Sequence, residues 1–254
     1  MLTVSSRTDP GAVRTTNEDR VLWDPALQLF AVADGMGGHN AGEVASRLAI
    51  DTIRMFLQKG VNDHDCTWPF GVNPSLSFET NRLMTAVKLA NRRVFRDAEE
   101  RVEYAGMGTT VLAAIAAEAH VTFVNVGDSR IYLVGEDDLQ QLSHDDSWVV
   151  LLSKESGLDP RAFETHPMRH VLTSVVGARP DLEAAAQEFD LEDGQTVMLC
   201  TDGLYGALSE QRLHAILKAE RDLETAAETM IQAAIDAHCT DNVTVLLARY
   251  SPDR

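Results

Sequence analysis

The spacing of apolar residues predicts strands at the start of the chain and then alternating groups of helices and strands. Residues 1–33 form short β-like runs separated by turn signals at Asp9-Pro10-Gly11 and Asp24-Pro25. Apolar residues then recur at helical spacing over residues 41–59 and about 77–103, with a polar loop between them. Later apolar runs predict strands at 109–116, 120–126, 130–134, about 183–189, about 195–200 and 243–248.

A second pair of amphipathic helices is predicted at about 209–218 and 222–238. Each helix pair must bury one apolar face, and a sheet-on-sheet core with a helix pair on each outer side allows both to do so. The segment at about 143–180 has short helical pieces and little strand character, so we expect a flap-like insert there. Since no repeat or linker interrupts the pattern, we expect residues 1–254 to form one domain.

Composition excludes several classes of partner. A net charge of −17 and a pI near 4.7 argue against nucleic acid or an anionic membrane. Cys66, Cys200 and Cys239 have no zinc or disulfide spacing, which favours a reducing compartment. Residues 1–7 lack a signal-peptide core and no apolar run could span a bilayer, so we expect a cytoplasmic protein. Nothing in the sequence marks an oligomer interface, so we expect a monomer.

Four acidic residues at strand boundaries are the candidates for chemistry. Asp34 follows an apolar run and precedes a glycine, and Asp202, Asp241 and Asp128 occupy comparable positions. One such aspartate usually marks only a turn, but four in one domain indicate a cluster. Carboxylates about 4 Å apart repel by roughly 4 kcal/mol at an effective dielectric near 20, so the cluster needs cations. All-oxygen ligands favour Mg²⁺ or Mn²⁺ over zinc.

Six short motifs lie along the chain in a fixed order. They are Arg14-Thr15-Thr16-Asn17-Glu18-Asp19, Asp34-Gly35-Met36-Gly37-Gly38-His39, Gly108-Thr109-Thr110, Asn125-Val126-Gly127-Asp128-Ser129-Arg130, Thr201-Asp202-Gly203-Leu204 and Asp241-Asn242-Val243-Thr244. Together they resemble the PPM family, the type 2C metal-dependent serine/threonine protein phosphatases, in its bacterial form. The resemblance implies an α+β fold, a four-layer α-β-β-α sandwich with a central antiparallel β-sandwich flanked by helix pairs.

The resemblance also implies a two-metal site at one end of the sandwich, holding Mn²⁺ or Mg²⁺. By this resemblance Asp34 bridges both ions and the Gly35 carbonyl binds one of them. Asp202 and Asp241 hold the other ion.

Further roles come from the same resemblance. Glu18 and Asp19 act near the ions, mostly through water. Asp128, together with Asp202, forms a third, weaker metal site. Arg14 binds the substrate phosphate, for which a permanently charged, bidentate guanidinium is suited.

The chemistry implied is in-line attack on phosphorus by a water that two divalent ions have activated, without a covalent phosphoenzyme. The proton donor to the leaving group stays open. Many family members, chiefly eukaryotic ones, have a histidine proposed as general acid where this chain has Met36. His39 lies three residues on; it serves as general acid or only as a structural hydrogen-bonding residue, and a water on the metal is the alternative acid.

These observations predict a phosphoserine/phosphothreonine protein phosphatase that opposes a bacterial serine/threonine kinase and acts on its targets. The insert at about 143–180 resembles the family's flap, which helps to set substrate preference. A pseudophosphatase that only binds is disfavoured, because Asp34, Asp202 and Asp241 are intact. A hydrolase of small phosphate esters remains an open alternative.

Overall fold

The computed structural model describes residues 1–38, 41–62, 68–159, 163, 166–168 and 170–252. His39 and Cys66, both considered above, lie outside the described residues. The strands are β1 Leu2–Asp9, β2 Asp19–Asp24, β3 Leu29–Met36, β4 Gly108–Thr109, β5 Val111–Ala117, β6 His120–Val126, β7 Arg130–Val134, β8 Leu139–Gln141, β9 Ala186–Asp190, β10 Thr196–Cys200 and β11 Val243–Tyr250. The helices are α1 Ala41–Asn62, α2 Phe78–Glu100, α3 Trp148–Ser156, α4 Asp202–Tyr205, α5 Glu210–Ala219 and α6 Leu223–Asp236.

Two antiparallel sheets form the centre of the protein. One has the strand order β1-β11-β10-β7-β8, and the other has the order β2-β3-β5-β6-β9 with β4 paired to β3. The register of β2 against β3 places Asp19 opposite Asp34. Antiparallel pairing thus brings Asp19, at the end of the motif that begins at Arg14, beside the motif that begins at Asp34.

Strand β3 shows how the layers are arranged. Leu29 and Ala31 point into a core shared with α1 and α2, whereas Phe30 and Val32 point into the core between the two sheets. Because both faces of the strand are buried, its sequence is a continuous apolar run rather than an alternating one.

The other sheet is buried in the same way. Met198 of β10 packs with α5 and α6, and its neighbour Leu199 packs between the sheets. The predicted α+β fold, a four-layer α-β-β-α sandwich, is confirmed.

Side-chain caps define where the long helices begin. Ser77, Ser209 and Asp222 each accept a hydrogen bond from the backbone N–H three residues on, at the start of α2, α5 and α6. Such a cap stabilises a helix by about 1 kcal/mol. All three helices therefore start within a residue or two of the predicted positions.

The structure corrects several predicted boundaries. The helix predicted to reach residue 103 ends at Glu100, because Arg101 is extended and a separate 3₁₀ turn covers Val102–Tyr104. Strand β3 continues past Asp34 to Met36 because Gly35 and Met36 pair with β4. Strand β8 was not predicted, since three residues carry too little periodicity. Among the described residues, no helix is long and apolar enough to cross a membrane.

Candidate active site

Asp19 is a buried carboxylate held in one orientation by two hydroxyl groups. Thr201 Oγ1 and Thr244 Oγ1 donate to its Oδ2 at 2.8 and 2.6 Å. Its Oδ1 is buried and has no hydrogen-bond partner. Burial raises the pKa of Asp19 to about 7, and the negative charges of Asp241 and Glu18 act in the same direction.

Asp34 is fixed through its backbone, so its side chain is positioned by the sheet. Thr110 N and Thr109 Oγ1 both donate to the Asp34 carbonyl at 2.8 Å. The Asp34 N–H donates to Thr110 Oγ1 at 2.9 Å, and that hydroxyl lies 2.8 Å from Ser129 Oγ. These bonds connect the Asp34 corner to the turn that carries Asp128.

Asp202 is the first residue of α4, and only Thr201 separates it from the end of β10. Its carboxylate lies within hydrogen-bonding reach of Asp34, and its Oδ1 is buried without a hydrogen-bond partner. Burial, together with the charges of Asp241 and Asp19, raises the pKa of Asp202 to about 6. The pKa of Asp34 is raised well above its ordinary value by burial and by the surrounding carboxylates.

Asp128 follows Gly127, whose φ of +100° is readily adopted by glycine. Burial and the charges of Asp202 and Asp145 raise the pKa of Asp128 to about 7. Asp128 is thus electrostatically coupled to the carboxylate of Asp202.

Arg14 and Asp241 form an ion pair at the edge of the cluster. Arg14 Nη2 lies 2.9 Å from Asp241 Oδ2, with the two side chains 50% and 38% exposed. Arg14 Nε also donates to the Thr240 carbonyl at 3.3 Å. A half-exposed arginine beside the carboxylates is accessible to an incoming anion.

Asn242, which was given no role in the sequence analysis, connects the first motif to the last. Its side-chain nitrogen donates to the carbonyls of Pro10 and Thr16 at 3.0 and 2.9 Å. Its oxygen accepts from the Glu18 N–H at 2.8 Å. The loop that carries Arg14 is therefore attached to the residue next to Asp241.

Glu18 faces the N-terminus of α1. Its carboxylate accepts hydrogen bonds from the N–H groups of Gly42 and Glu43, while burial raises its pKa. A Cβ at Gly42 would lie 2.7 Å from Glu18 Cδ, and one at Gly35 would lie 2.1 Å from the Gly42 carbonyl oxygen. Only glycine at these two positions allows β3, α1 and Glu18 to approach so closely.

The described residues of the predicted flap, at about 143–180, are attached to the rest of the protein at its far end and are little buried in α3. Helix α3 has no buried residue. Trp148 stacks on His166 with ring centroids 4.6 Å apart, so it is engaged within the flap. At the far end, Asn91 of α2 accepts from the Gly177 N–H at 2.8 Å and donates to the Arg179 carbonyl at 2.9 Å.

The carboxylate cluster has the properties of a divalent cation site. Its donors are oxygens, two of them buried without hydrogen-bond partners, and burial together with mutual repulsion raises the pKa values of its members. Within the described residues, no group of three or more His, Cys, Asp or Glu side chains is arranged to hold a metal by itself. Water or backbone oxygens would therefore complete the coordination, as is usual for Mg²⁺.

The structure brings most of the predicted site residues into one region. The charges of Asp19, Asp128, Asp202 and Asp241 all act on Asp34. Their roles as metal ligands stay predictions.

Sequence reasoning missed the hydroxyl groups that hold Asp19, although both lie inside the quoted motifs. The position of Thr201 directly before Asp202 was the available signal, but spacing alone does not show that a hydroxyl points back toward another strand.

A sequence model of the family described as Protein phosphatase 2C matches residues 12–238. The chain is 33% identical over 252 residues to the serine/threonine phosphatase stp of Listeria innocua, covering 95% of this chain and 93% of that protein. This chain belongs to the protein phosphatase 2C family. The predicted enzyme class, a protein-serine/threonine phosphatase, is confirmed.

Solved structures of this family have the same fold as this phosphatase. The Mycobacterium tuberculosis serine/threonine phosphatase PstP/Ppp superposes with a TM-score of 0.85 at 31% identity, over 99% of each chain. The catalytic domain of PstP in complex with two manganese ions superposes with a TM-score of 0.81, also at 31% identity and over 99% of each chain.

Proposed function

We propose that this phosphatase hydrolyses phosphoserine and phosphothreonine in proteins and depends on Mn²⁺ or Mg²⁺. The proposal rests on the buried cluster of carboxylates around Asp34. The pKa values of these carboxylates are raised, and two of their oxygens, on Asp19 and Asp202, have no hydrogen-bond partner. A manganese-containing relative of the same fold supports the choice of metal.

Specific residues would hold the ions. In the proposal Asp34 would be a ligand to two of them, the Gly35 carbonyl would be a ligand to one, and Asp202 and Asp241 would hold the other. When bound, the ions supply the positive charge that activates water for attack on phosphorus and balances charge in the transition state.

Three further residues complete the proposed set. Glu18 and Asp19 contribute mainly through water. Asp128 and Asp202 would form a third, weaker site.

The protein's own groups bind and orient the substrate. Arg14 would bind two phosphate oxygens with its guanidinium, which Asp241 and the Thr240 carbonyl already hold at the edge of the cluster. Thr201 and Thr244 keep Asp19 in one orientation. Protonation of the leaving alkoxide is assigned to His39, which lies outside the described residues, or to water.

The proposed substrates are phosphorylated proteins, among them a bacterial serine/threonine kinase and its targets. Relatives named serine/threonine phosphatases support this substrate class. The net charge of −17 supports the exclusion of nucleic acid and anionic membranes as partners. A cytoplasmic monomer stays part of the proposal.

The test is hydrolysis of p-nitrophenyl phosphate with and without Mn²⁺, followed by comparison of a phosphothreonine peptide with a sugar phosphate. We expect turnover that requires added metal and a higher kcat/KM for the peptide. Absence of metal-stimulated turnover would contradict the proposal. A preference for the sugar phosphate would reassign the enzyme to small phosphate esters.

A further inference from the structure

Arg130 lies near the site and has several side-chain contacts, but the proposed reaction gives it no role. It begins β7, two residues after Asp128. Its Nη2 donates to Asp145 Oδ2 at 2.7 Å, and its Nε donates to Asp145 Oδ1 at 3.1 Å. The two side chains are only 22% and 10% exposed, so this bidentate pair is largely shielded from water. Such pairs fix geometry as well as contributing energy.

Arg130 also contacts the helix that carries Asp202. Its Cζ lies 3.7 Å from the centre of the Tyr205 ring, within cation–π distance. Tyr205 is the last residue of α4, which begins at Asp202. The Tyr205 hydroxyl donates to the Asp128 carbonyl at 3.1 Å. One guanidinium is therefore connected to both Asp202 and Asp128 through a single ring.

The start of the predicted flap is hydrogen-bonded to the turn before Asp128. The Asp146 N–H donates to the Gly127 carbonyl at 2.9 Å, and the Gly127 N–H donates to Asp146 Oδ2 at 3.1 Å. Asn125 donates to the His144 carbonyl at 3.2 Å. Asp145 pairs with Arg130, and its two chain neighbours, His144 and Asp146, are both hydrogen-bonded to this turn.

The two carboxylates that this network positions interact electrostatically. Burial and the charge of Asp202 raise the pKa of Asp128, and Asp202 Oδ1 is buried without a hydrogen-bond partner. Both groups supply oxygen ligands, which suit Mn²⁺ or Mg²⁺.

We propose that Arg130 is a positioning residue that holds Asp128, Asp202 and the start of the flap in one arrangement, through Asp145 and Tyr205. It thereby sets the affinity of the weaker cation site that those two aspartates form. The inference rests on the proposed function, because it assumes that the carboxylates bind divalent ions. Lysine cannot replace Arg130, since an ammonium lacks the planar fork that pairs with Asp145 and stacks on Tyr205.

The test compares Arg130→Lys and Asp145→Asn with the wild type. Isothermal titration of Mn²⁺ into the metal-free protein measures binding directly, and phosphatase activity is recorded against Mn²⁺ concentration. We expect the weakest Mn²⁺ site to lose roughly 10- to 100-fold in affinity, the usual cost of removing a group that orients metal ligands. At saturating Mn²⁺ kcat should return to the wild-type value. The double variant should lose no more than either single variant, because the two residues act as one unit.

Arg82→Lys is the matched control. Arg82 is 11% exposed, pairs with Glu79 at 2.8 Å and donates to the Leu57 carbonyl at 2.8 Å, but it lies on the helix layer away from the carboxylates. It should lower thermal stability and leave the Mn²⁺ isotherm unchanged.

Unchanged Mn²⁺ binding in both test variants would overturn the proposal, as would an equal loss in Arg82→Lys. If Arg130→Lys does not fold, Asp145→Asn carries the same test. A wild-type protein that binds no Mn²⁺ would instead contradict the proposed function itself.

Discussion

Among single residues, the buried carboxylates are the most unusual feature of the site. Asp202 begins a helix at the end of a buried strand, touches Asp34, and has an oxygen without a partner. A carboxylate in such a position is costly unless a cation or a proton balances its charge. A bound metal ion would therefore explain a feature that packing alone leaves unexplained.

Replacing Asp202 with asparagine tests this directly. Asp202→Asn keeps the shape and removes the charge, so we expect turnover to fall on the order of 10²- to 10³-fold, as when one charge-stabilising group is lost. Mn²⁺ binding should weaken in the same variant, measured by isothermal titration. Asp137→Asn, at a carboxylate 94% exposed, is the control. Wild-type turnover in Asp202→Asn would show that the site is misplaced.

The hydroxyl groups around Asp19 give a second prediction at this scale. Thr244→Val removes one donor to a buried carboxylate, and such a loss costs about 1–3 kcal/mol of stability. Urea unfolding should show that destabilisation in the wild-type background and much less of it in Asp19→Asn, where the charge is absent. Equal effects in the two backgrounds would mean that the hydroxyl does not stabilise Asp19.

Among the elements, β3 and α1 approach each other so closely that their junction requires glycine. A Cβ on Gly35 would lie 2.1 Å from the Gly42 carbonyl oxygen and 2.7 Å from that of Glu18, whereas one on Gly38 meets nothing within 4 Å. Gly35→Ala must therefore push α1 away, and forced overpacking of this kind typically costs about 1–3 kcal/mol. Thermal unfolding should show this loss in Gly35→Ala and none in Gly38→Ala. Equal stability of the two variants would contradict the close approach.

The sequence predicted the elements well where their apolar pattern is long. Motifs at the ends of predicted strands indicated the aspartates that the structure brings together around Asp34. The period of α1, the continuous apolar run that ends at Asp34, and Asp202 just beyond β10 are local signals. The end of α2 was placed too late, because no glycine or proline marks it and the boundary is visible only as the extended Arg101. The Arg14–Asp241 pair joins residues at opposite ends of the chain, so only the packed sheets reveal it.

At the scale of the whole molecule, the carboxylate cluster links stability to pH and metal. In the metal-free protein, burial and repulsion raise the pKa of Asp19 to about 7 and that of Asp202 to about 6. The folded state therefore holds protons that the unfolded chain has released, and stability is lost as pH rises through these values.

Urea unfolding in EDTA at pH 5 and pH 8 measures this dependence. We expect the metal-free protein to be less stable at pH 8, and added Mn²⁺ to restore stability there, because the ion replaces the protons. Asp34→Asn, which removes one of the repelling charges, should show a weaker dependence on pH. A metal-free protein equally stable at both values would contradict the description of the cluster.

Metal binding at the Asp34 corner is what most of these expectations depend on. The most direct measurement is the anomalous difference map of a crystal grown with Mn²⁺. We expect two peaks that share Asp34, one also bound by the Gly35 carbonyl and the other by Asp202 and Asp241. An active enzyme whose Mn²⁺ peaks lie elsewhere, with none beside Asp34, would contradict it.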